Sequence, residues 1–315
     1  MTQLAVATLE TELDGALELG GRALGWTETH GRPLLASTSF TAEALVLGSL
    51  QREDTLRGRS SARFDVRVAR RLSTGTEAQL SGAVLYHALA LPRVDALYGD
   101  AKARTLLNRN LRALLRGYTA AGVPLRYFGT EVLALLGHPV ALVGYDQTAS
   151  GAVLIEVLIG LENPCVVRPA VRREPPAALF SVLRQSRPAH DLLCKAVNGV
   201  VSSLGATPID VAAVLPVMPA ATEAPVGDVA ASVAIPLGVI EAAAASLRIT
   251  GDLLISRNAL SQVQALAQAQ LAVGEPISDA CLLPMQQAPL DGARPFDLLR
   301  ALVLASGPAS DGRDA

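Results

Sequence analysis

Residues 127–161 read YFGTEVLALLGHPVALVGYDQTASGAVLIEVLIGL. Three apolar segments, Tyr127 to Leu136, Val140 to Tyr145 and Ala152 to Leu161, are divided by Gly137-His138 and by Asp146 to Gly151, both of turn composition. Connections this short make the three strands consecutive and antiparallel, because a parallel pair needs a crossover of a dozen or more residues. A long helical pattern precedes them. From Ala101 to Ala121, Leu107, Leu111, Leu114, Leu115 and Tyr118 share one face, and Gly122 and Pro124 end it. Further upstream the spacing predicts a helix over Leu13 to Leu24, strands at Pro33 to Phe40 and Ala44 to Gly48 with a turn between, and an exposed loop from Gln51 to Ala62. Phe64 to Ala69 alternates apolar and charged residues as a half-buried strand does, and Ala83 to Leu91 is a further strand.

Downstream, helical patterns cover Ala177 to Leu183 and Ala189 to Leu204. Pro208, Pro216, Pro219 and Pro225 mark a linker. Strands at Ser232 to Glu241 and Ser246 to Ile255 and helices at Asn258 to Leu271 and Pro295 to Leu304 follow. Helices mixed with mostly antiparallel strands define an α+β protein, not a doubly wound one. The expected layout is a main domain over 1–205, a linker over 206–230, a small α+β accessory domain over 231–305 and a mobile tail over 306–315.

The composition narrows the function. Half of the 315 residues are hydrophobic and 18% are charged, enough apolar surface for a large core. A net charge of −2 argues against general nucleic-acid binding, which neutralises phosphates with clustered cations. Aromatic residues at 3% argue against base-stacking platforms. Lys102 and Lys195 are the only lysines, so the arginine excess reflects composition bias rather than function. Cys165, Cys194 and Cys281 have no metal-type spacing, no histidine pair has it either, and no metal site is expected. No apolar run is long enough for a membrane span, and the N-terminus lacks a basic leader, so the expected location is cytoplasmic.

Several segments, in order, resemble the biotin/lipoate protein ligase family, and lipoate–protein ligases in particular. Leu45-Val46-Leu47-Gly48 followed by Gln51 resembles the family's strand and G-x-x-Q segment. Val68-Ala69-Arg70-Arg71-Leu72-Ser73-Thr74-Gly75 resembles its R-R-x-[ST]-G-G-G loop. Asn108 to Gly122 with Tyr127-Phe128-Gly129 is similar to its long helix and following strand. Gly137-His138-Pro139-Val140-Ala141 and Gly151 to Leu161 are similar to its core strand pair. Ser232 to Leu271, with Gly251-Asp252, resembles its accessory domain. The resemblance implies a class II synthetase/biotin–lipoate ligase-like fold, a mixed and mostly antiparallel sheet with flanking helices. It also implies ATP with Mg²⁺ and lipoate as reactants, an acyl-adenylate intermediate and a lipoyl-type carrier domain as acceptor.

The sequence departs from that pattern where the chemistry is done. One loop glycine, Gly75, stands where the family has three, and Glu77 follows it. Pro139 stands where the family has its lysine, and Ile155-Glu156-Val157 replaces the histidine–glycine signature. Removing one oxyanion-type stabiliser costs about 100- to 1000-fold in rate. The reading is a divergent ligase-like protein that has lost standard ATP-dependent lipoyl ligation. It would serve as a binding or regulatory module for an acyl group, a small carboxylate or a lipoyl-type carrier domain. An active ligase or acyltransferase with a rebuilt site, and a structural subunit of a larger assembly, are the alternatives.

The residues expected to carry a ligand are Arg70, Arg71, Ser73, Gly75, Tyr145 and Glu156. The arginines would clamp a carboxylate or phosphate bidentately, or else cap a solvated strand end. Glu77 and Glu156 would do acid–base work or hold a metal, or else pair with arginines. Cys165 is the candidate acyl-thioester nucleophile, activated by Arg168, or else a half-buried structural thiol. His87, alone in an apolar strand, reads as a hydrogen-bonded core residue.

Overall fold

The computed structural model describes residues 3–167, 174–216, 228–244, 246–286, 288 and 290–307. The chain opens with strand β1 (Gln3–Glu10), helix α1 (Leu13–His30) and strand β2 (Leu34–Leu47). Helix α1 stops at Gly31, whose φ of 65° lets its N–H return to the Thr27 carbonyl. A short helix α2 (Glu53–Arg57) precedes β3 (Arg67–Arg70) and β4 (Ala78–Leu91). Helix α3 (Leu106–Ala120), entered through a 3₁₀ turn at Ala103–Thr105, leads to β5 (Arg126–Tyr127), β6 (Val132–Leu135), β7 (His138–Gln147) and β8 (Val153–Gly160). Helices α4 (Leu179–Leu183) and α5 (Ala189–Ser203) and strand β9 (Thr207–Asp210) complete the first unit.

One nine-stranded sheet runs β5-β6-β7-β8-β4-β2-β1-β9, with β3 added beside the second half of β2. From β5 to β2 every pairing is antiparallel; β1, β3 and β9 join in parallel. Side-chain alternation divides its two faces. Leu35, Leu85, Leu89, Val143 and Val157 pack with Leu107, Leu111, Leu114 and Tyr118 of α3 and with Leu193 and Ala196 of α5. Leu34, Ala36, Tyr86, Ala88 and Leu154 pack with Ala16, Leu19, Ala23 and Trp26 of α1.

The second unit has β10 (Val229–Ile235), β11 (Gly238–Ala243) and β12 (Ile249–Gly251) in one antiparallel sheet. Strand β13 (Leu254–Ile255) pairs with β14 (Leu290–Asp291). Helices α6 (Arg257–Ala272) and α7 (Pro295–Ser306) close its core around Ile240, Ile249, Leu260, Val263, Leu298 and Leu302.

The α+β class and the antiparallel strands at Val140 to Tyr145 and Ala152 to Leu161 stand as expected, while Tyr127 to Leu136 is not one strand but divides into β5 and β6, paired antiparallel. Several details differ. Pro33–Phe40 and Ala44–Gly48 are one strand, because β4 pairs with β2 from Leu34↔Ala90 to Val46↔Ala78 without a break. In its middle Thr41 and Glu43 are exposed, which imitates a turn in composition, while Ala42 between them packs against the core. Gln51 to Ala62 contains α2, and the strand predicted over Phe64 to Ala69 shortens to β3. Of the residues read as a linker, Thr207–Asp210 is a strand, with Pro208 opposite Leu4 on the edge where its missing N–H costs least. Ser232 to Glu241 is a hairpin turning at Pro236-Leu237, and Ser246 to Ile255 divides into β12 and β13. The tail beyond Gly307 lies outside the described residues.

Candidate functional site

The loop after β3 carries the residues singled out in the sequence. It is pinned by main-chain bonds, Arg71 N–H to the Leu47 carbonyl (3.0 Å) and Thr74 N–H to the Tyr145 carbonyl (2.9 Å). Gly75 turns it at φ 115°, the left-handed region that favours glycine. The loop folds inward. Arg71, Ser73, Thr74, Thr76 and Glu77 are each no more than 1% exposed.

Arg71 lies wholly inside. Its Nη2 donates to the carbonyls of Thr74 (3.2 Å) and Thr76 (2.9 Å). Burial pushes its pKa below the ordinary arginine value, and the charges of Glu156, Tyr86 and Glu77 oppose that shift. Glu156, on β8, accepts from the Tyr86 hydroxyl and from the Ser73 N–H at 2.7 Å. Burial, then Glu156, holds the Tyr86 phenol well above its usual value. Arg71 Nε and Ser73 Oγ make no hydrogen bond among the described residues. Both crowd Gly144 of β7, where a Cβ would stand 1.9 Å from Ser73 Oγ and 2.8 Å from Arg71 Nε. Arg71, Ser73, Gly75 and Glu156 thus converge, around a glycine and a tyrosine, Gly144 and Tyr86, that the sequence does not single out, while Tyr145 reaches the loop only through its carbonyl. The β4–β8 register, Ala88↔Glu156 and Tyr86↔Leu158, makes Tyr86 the diagonal same-face neighbour of that carboxylate, a pairing that becomes visible only once the strands are aligned.

The other predicted residues go elsewhere. Glu77 accepts from Ser60 Oγ (2.5 Å) and from Gln51 Nε2 (2.8 Å). Glu77 and Glu156 both bear on Arg71 electrostatically, but Gln51 and Ser60 hold the first while Ser73 and Tyr86 hold the second. Arg70 Nη1 donates to the carbonyls of Gly48 (2.9 Å) and Gln51 (2.5 Å). The Tyr145 hydroxyl donates to Gln147 Oε1 at 3.1 Å, and burial raises its pKa. Cys165 is buried, its Sγ 3.6 Å from the carbonyls of Val140 and Leu158, and burial pushes the thiol up to about 11. That environment opposes the thiolate a nucleophile needs. Arg168, named as its activator, lies outside the described residues. Pro139 is buried in β7 and its carbonyl accepts from the Ala177 N–H (3.0 Å). Lys102 and Lys195 are exposed.

The second unit sits directly on this loop. Thr74 Oγ1 donates to the Ile255 carbonyl (2.9 Å) and accepts from its N–H (3.0 Å). Gln51 Nε2 bridges from Glu77 to Asp252 Oδ1 (2.7 Å), and Arg59 bonds the other Asp252 oxygen. Arg257, the first residue of α6, places its main-chain N–H (3.0 Å) and its guanidinium on Asp146. Beside this seam lies an open cleft of about 550 Å³. Leu106, Leu107 and Tyr127 form one wall, Met285 and Leu290 the other, and Arg104 is a cation on its rim.

No protein-family model and no curated protein sequence matches the chain significantly. Solved structures do. A chain of the bipartite lipoate–protein ligase and its E2 lipoyl domain from Thermoplasma acidophilum aligns with a TM-score of 0.51 at 12% identity, covering 67% of this chain and 87% of that one. Another lipoate–protein ligase structure from that organism gives 0.50 at 11% identity over 67% and 89%. ATP-bound lipoate–protein ligase A gives 0.49 at 13% identity over 67% and 90%. At such identities the likeness is one of fold, and the fold of this chain is that of the lipoate–protein ligases.

Proposed function

We propose that this chain keeps the ligase fold as a binding module for a small acyl or carboxylate ligand and does not itself carry out ATP-dependent ligation. The observation that supports this reading most is the Arg71–Glu156–Tyr86 cluster. Where the resemblance expects a glycine loop to cradle phosphate, the protein's own buried side chains fill the space. ATP does not fit these residues as they stand. Glu77 and Glu156 add two carboxylates beside any phosphate, and Arg71 is committed to main-chain carbonyls. The cleft beside Arg104 has the volume of a ligand pocket instead, and its lining mixes Leu106, Leu107, Met285 and Leu290 with Thr105, Asn108 and one cation to fix a carboxylate.

Calorimetric and thermal-shift titrations test this reading with octanoate, lipoate, ATP with Mg²⁺ and a non-hydrolysable lipoyl-adenylate analogue. A ligand at 100 Kd adds about 2.7 kcal/mol of stability. The expected result is binding of the free acid without nucleotide, weakened by Arg104→Ala. Transfer of lipoate from ATP and lipoate to a lipoyl carrier domain would overturn the proposal, as would tight analogue binding that Arg71→Met abolishes and Arg104→Ala leaves intact.

A further inference from the structure

The segment 101–130 holds six basic residues, Lys102, Arg104, Arg109, Arg112, Arg116 and Arg126, and no acidic one, in a chain whose net charge is −2. Helix α3 and the 3₁₀ turn that leads into it sort their residues by face. Leu107, Leu111, Leu114 and Tyr118 enter the core, which leaves Arg104, Asn108, Arg112 and Arg116 in line on the exposed side with Arg109 beside them. The line runs about 18 Å from Arg104 to Arg116 at a helical rise of about 1.5 Å per residue. Arg109 pairs with Asp100 at 2.8 Å. Lys102, Arg104, Arg112 and Arg116 make no ion pair with any described residue.

Helix stability does not account for this row. Arg112 and Arg116 are like charges at i,i+4, which disfavours the helix. Lys102 and Arg104 lie at the end of α3 where the macrodipole is positive, and its first turn holds no acid to offset them. Composition bias accounts for arginine in place of lysine but not for the absence of acids. Helix α1, of similar length, mixes Asp14, Glu18, Arg22 and Glu28.

We propose that the exposed face of α3 is a docking surface for an acidic protein partner. Three unpaired arginines in line, with Lys102 near their N-terminal end, match a row of carboxylates, and arginine holds carboxylates in a bidentate fork. Tyr98, the ring beside Arg112 and Arg116, is half-buried with its hydroxyl inside, and no large apolar side chain of α3 is exposed, which sets the face apart from single-strand and membrane binders. Arg104 closes one end of the row and stands on the rim of the 550 Å³ cleft, so a partner lying along α3 reaches the cleft mouth. Docking does not depend on what the cleft holds.

The test uses the full chain and a fluorescent oligo-glutamate peptide of about 20 residues, long enough to span the helix. Anisotropy titrations would compare wild type with Arg112→Glu/Arg116→Glu and with a charge-matched control, Arg63→Glu/Arg67→Glu, whose arginines already pair with Glu43, Asp65 and Asp14. The α3 pair should weaken binding at least about tenfold, the control by no more than about twofold, and added salt should weaken wild-type binding. Circular dichroism checks folding, and if the reversal unfolds α3, Arg112→Gln/Arg116→Gln should still weaken binding about threefold. The proposal is overturned if wild type does not bind the peptide, or if both pairs lose equally. It is also overturned if single-stranded DNA or phosphatidylserine vesicles bind through the same arginines more tightly than the peptide.

Discussion

Replacing Arg71 by methionine keeps most of the side-chain volume and removes the charge. Two buried charge-assisted hydrogen bonds, to Thr74 and Thr76, are lost. The Glu156 carboxylate, held by Tyr86 and Ser73, loses its nearby buried cation. Hydrogen bonds from a charged donor contribute about 1.5–3 kcal/mol each, and stripping one member from a buried ionic cluster costs about 3–5 kcal/mol. The two figures describe overlapping losses, so about 3–5 kcal/mol is expected for Arg71→Met, a large share of a domain's usual 5–15 kcal/mol. In urea, with an m-value of about 3 kcal/mol/M, the midpoint falls by about 1 to 1.7 M. Trp26, the single tryptophan and buried against α1's own core, reports the transition. The double variant Arg71→Met/Glu156→Gln removes cation and anion together and should lose clearly less than the two single losses added. A midpoint shift below about 0.3 M, or strict additivity, would refute the argument that Arg71 is a structural replacement for a ligand. It would return Arg71 to the role of an anion-binding group.

His87, between Ser37 Oγ (2.8 Å) and the Tyr118 hydroxyl (2.6 Å), is held neutral by burial, with its pKa pushed down from 6.5 to about 4. Its stabilising contribution is present above pH 6.5 and lost as pH falls towards about 4, amounting to about 3 kcal/mol. His87→Gln should flatten that part of the pH–stability curve measured by urea unfolding. Asp146 behaves oppositely, since burial raises its carboxyl above 3.8 despite Arg257. Its contribution is full below pH 3.8 and declines as pH rises through the folded value, and Asp146→Asn should remove that decline. Gly144→Ala drives a methyl to 1.9 Å from Ser73 Oγ and should destabilise by about 1–3 kcal/mol. Ser73→Gly in the same chain should recover part of the loss, measured by thermal unfolding. A thiol reagent at neutral pH should modify the partly exposed Cys194 before the buried Cys165, identified by peptide mass mapping.

The fold was legible where period and punctuation agreed. The face of Leu107, Leu111, Leu114 and Tyr118 and the turns at Gly137-His138 and 146–151 identify α3 and the β6–β7–β8 meander, and the order of weak motifs identifies the architecture. Legibility failed where tertiary pairing overrides local composition. Thr41-Ala42-Glu43 looks like a turn until β4 is laid beside it. Pro236 inside an apparent strand was a breaker that the reading passed over. At the site, the loop residues could be named in advance but not their direction. Nothing local in Arg70-Arg71 says that one guanidinium turns to the carbonyls of 48 and 51 while the next goes into the core. The partners that decide it, Tyr86, Gly144, Thr74 with Ile255, and Gln51 with Asp252, lie far apart in sequence. The acid-free run around α3 was present in the sequence throughout, hidden by a composition in which arginine is common.

Strand β1 sits between β2 and β9, with Ala5 opposite both Leu34 and Ile209. During synthesis its two sides are satisfied at different times. Strand β2 ends at Leu47 and β9 ends at Asp210, so about 160 residues separate the two pairings. At about 5–20 residues per second, the outer edge of β1 waits roughly 8 to 32 s on the ribosome for its second neighbour. An unpaired edge is a template for other chains, and Glu10 is the only charged side chain on this one. A nascent chain stopped before Thr207 therefore carries a bare, nearly neutral strand at the rim of an otherwise formed sheet, and holdase chaperones would engage it there.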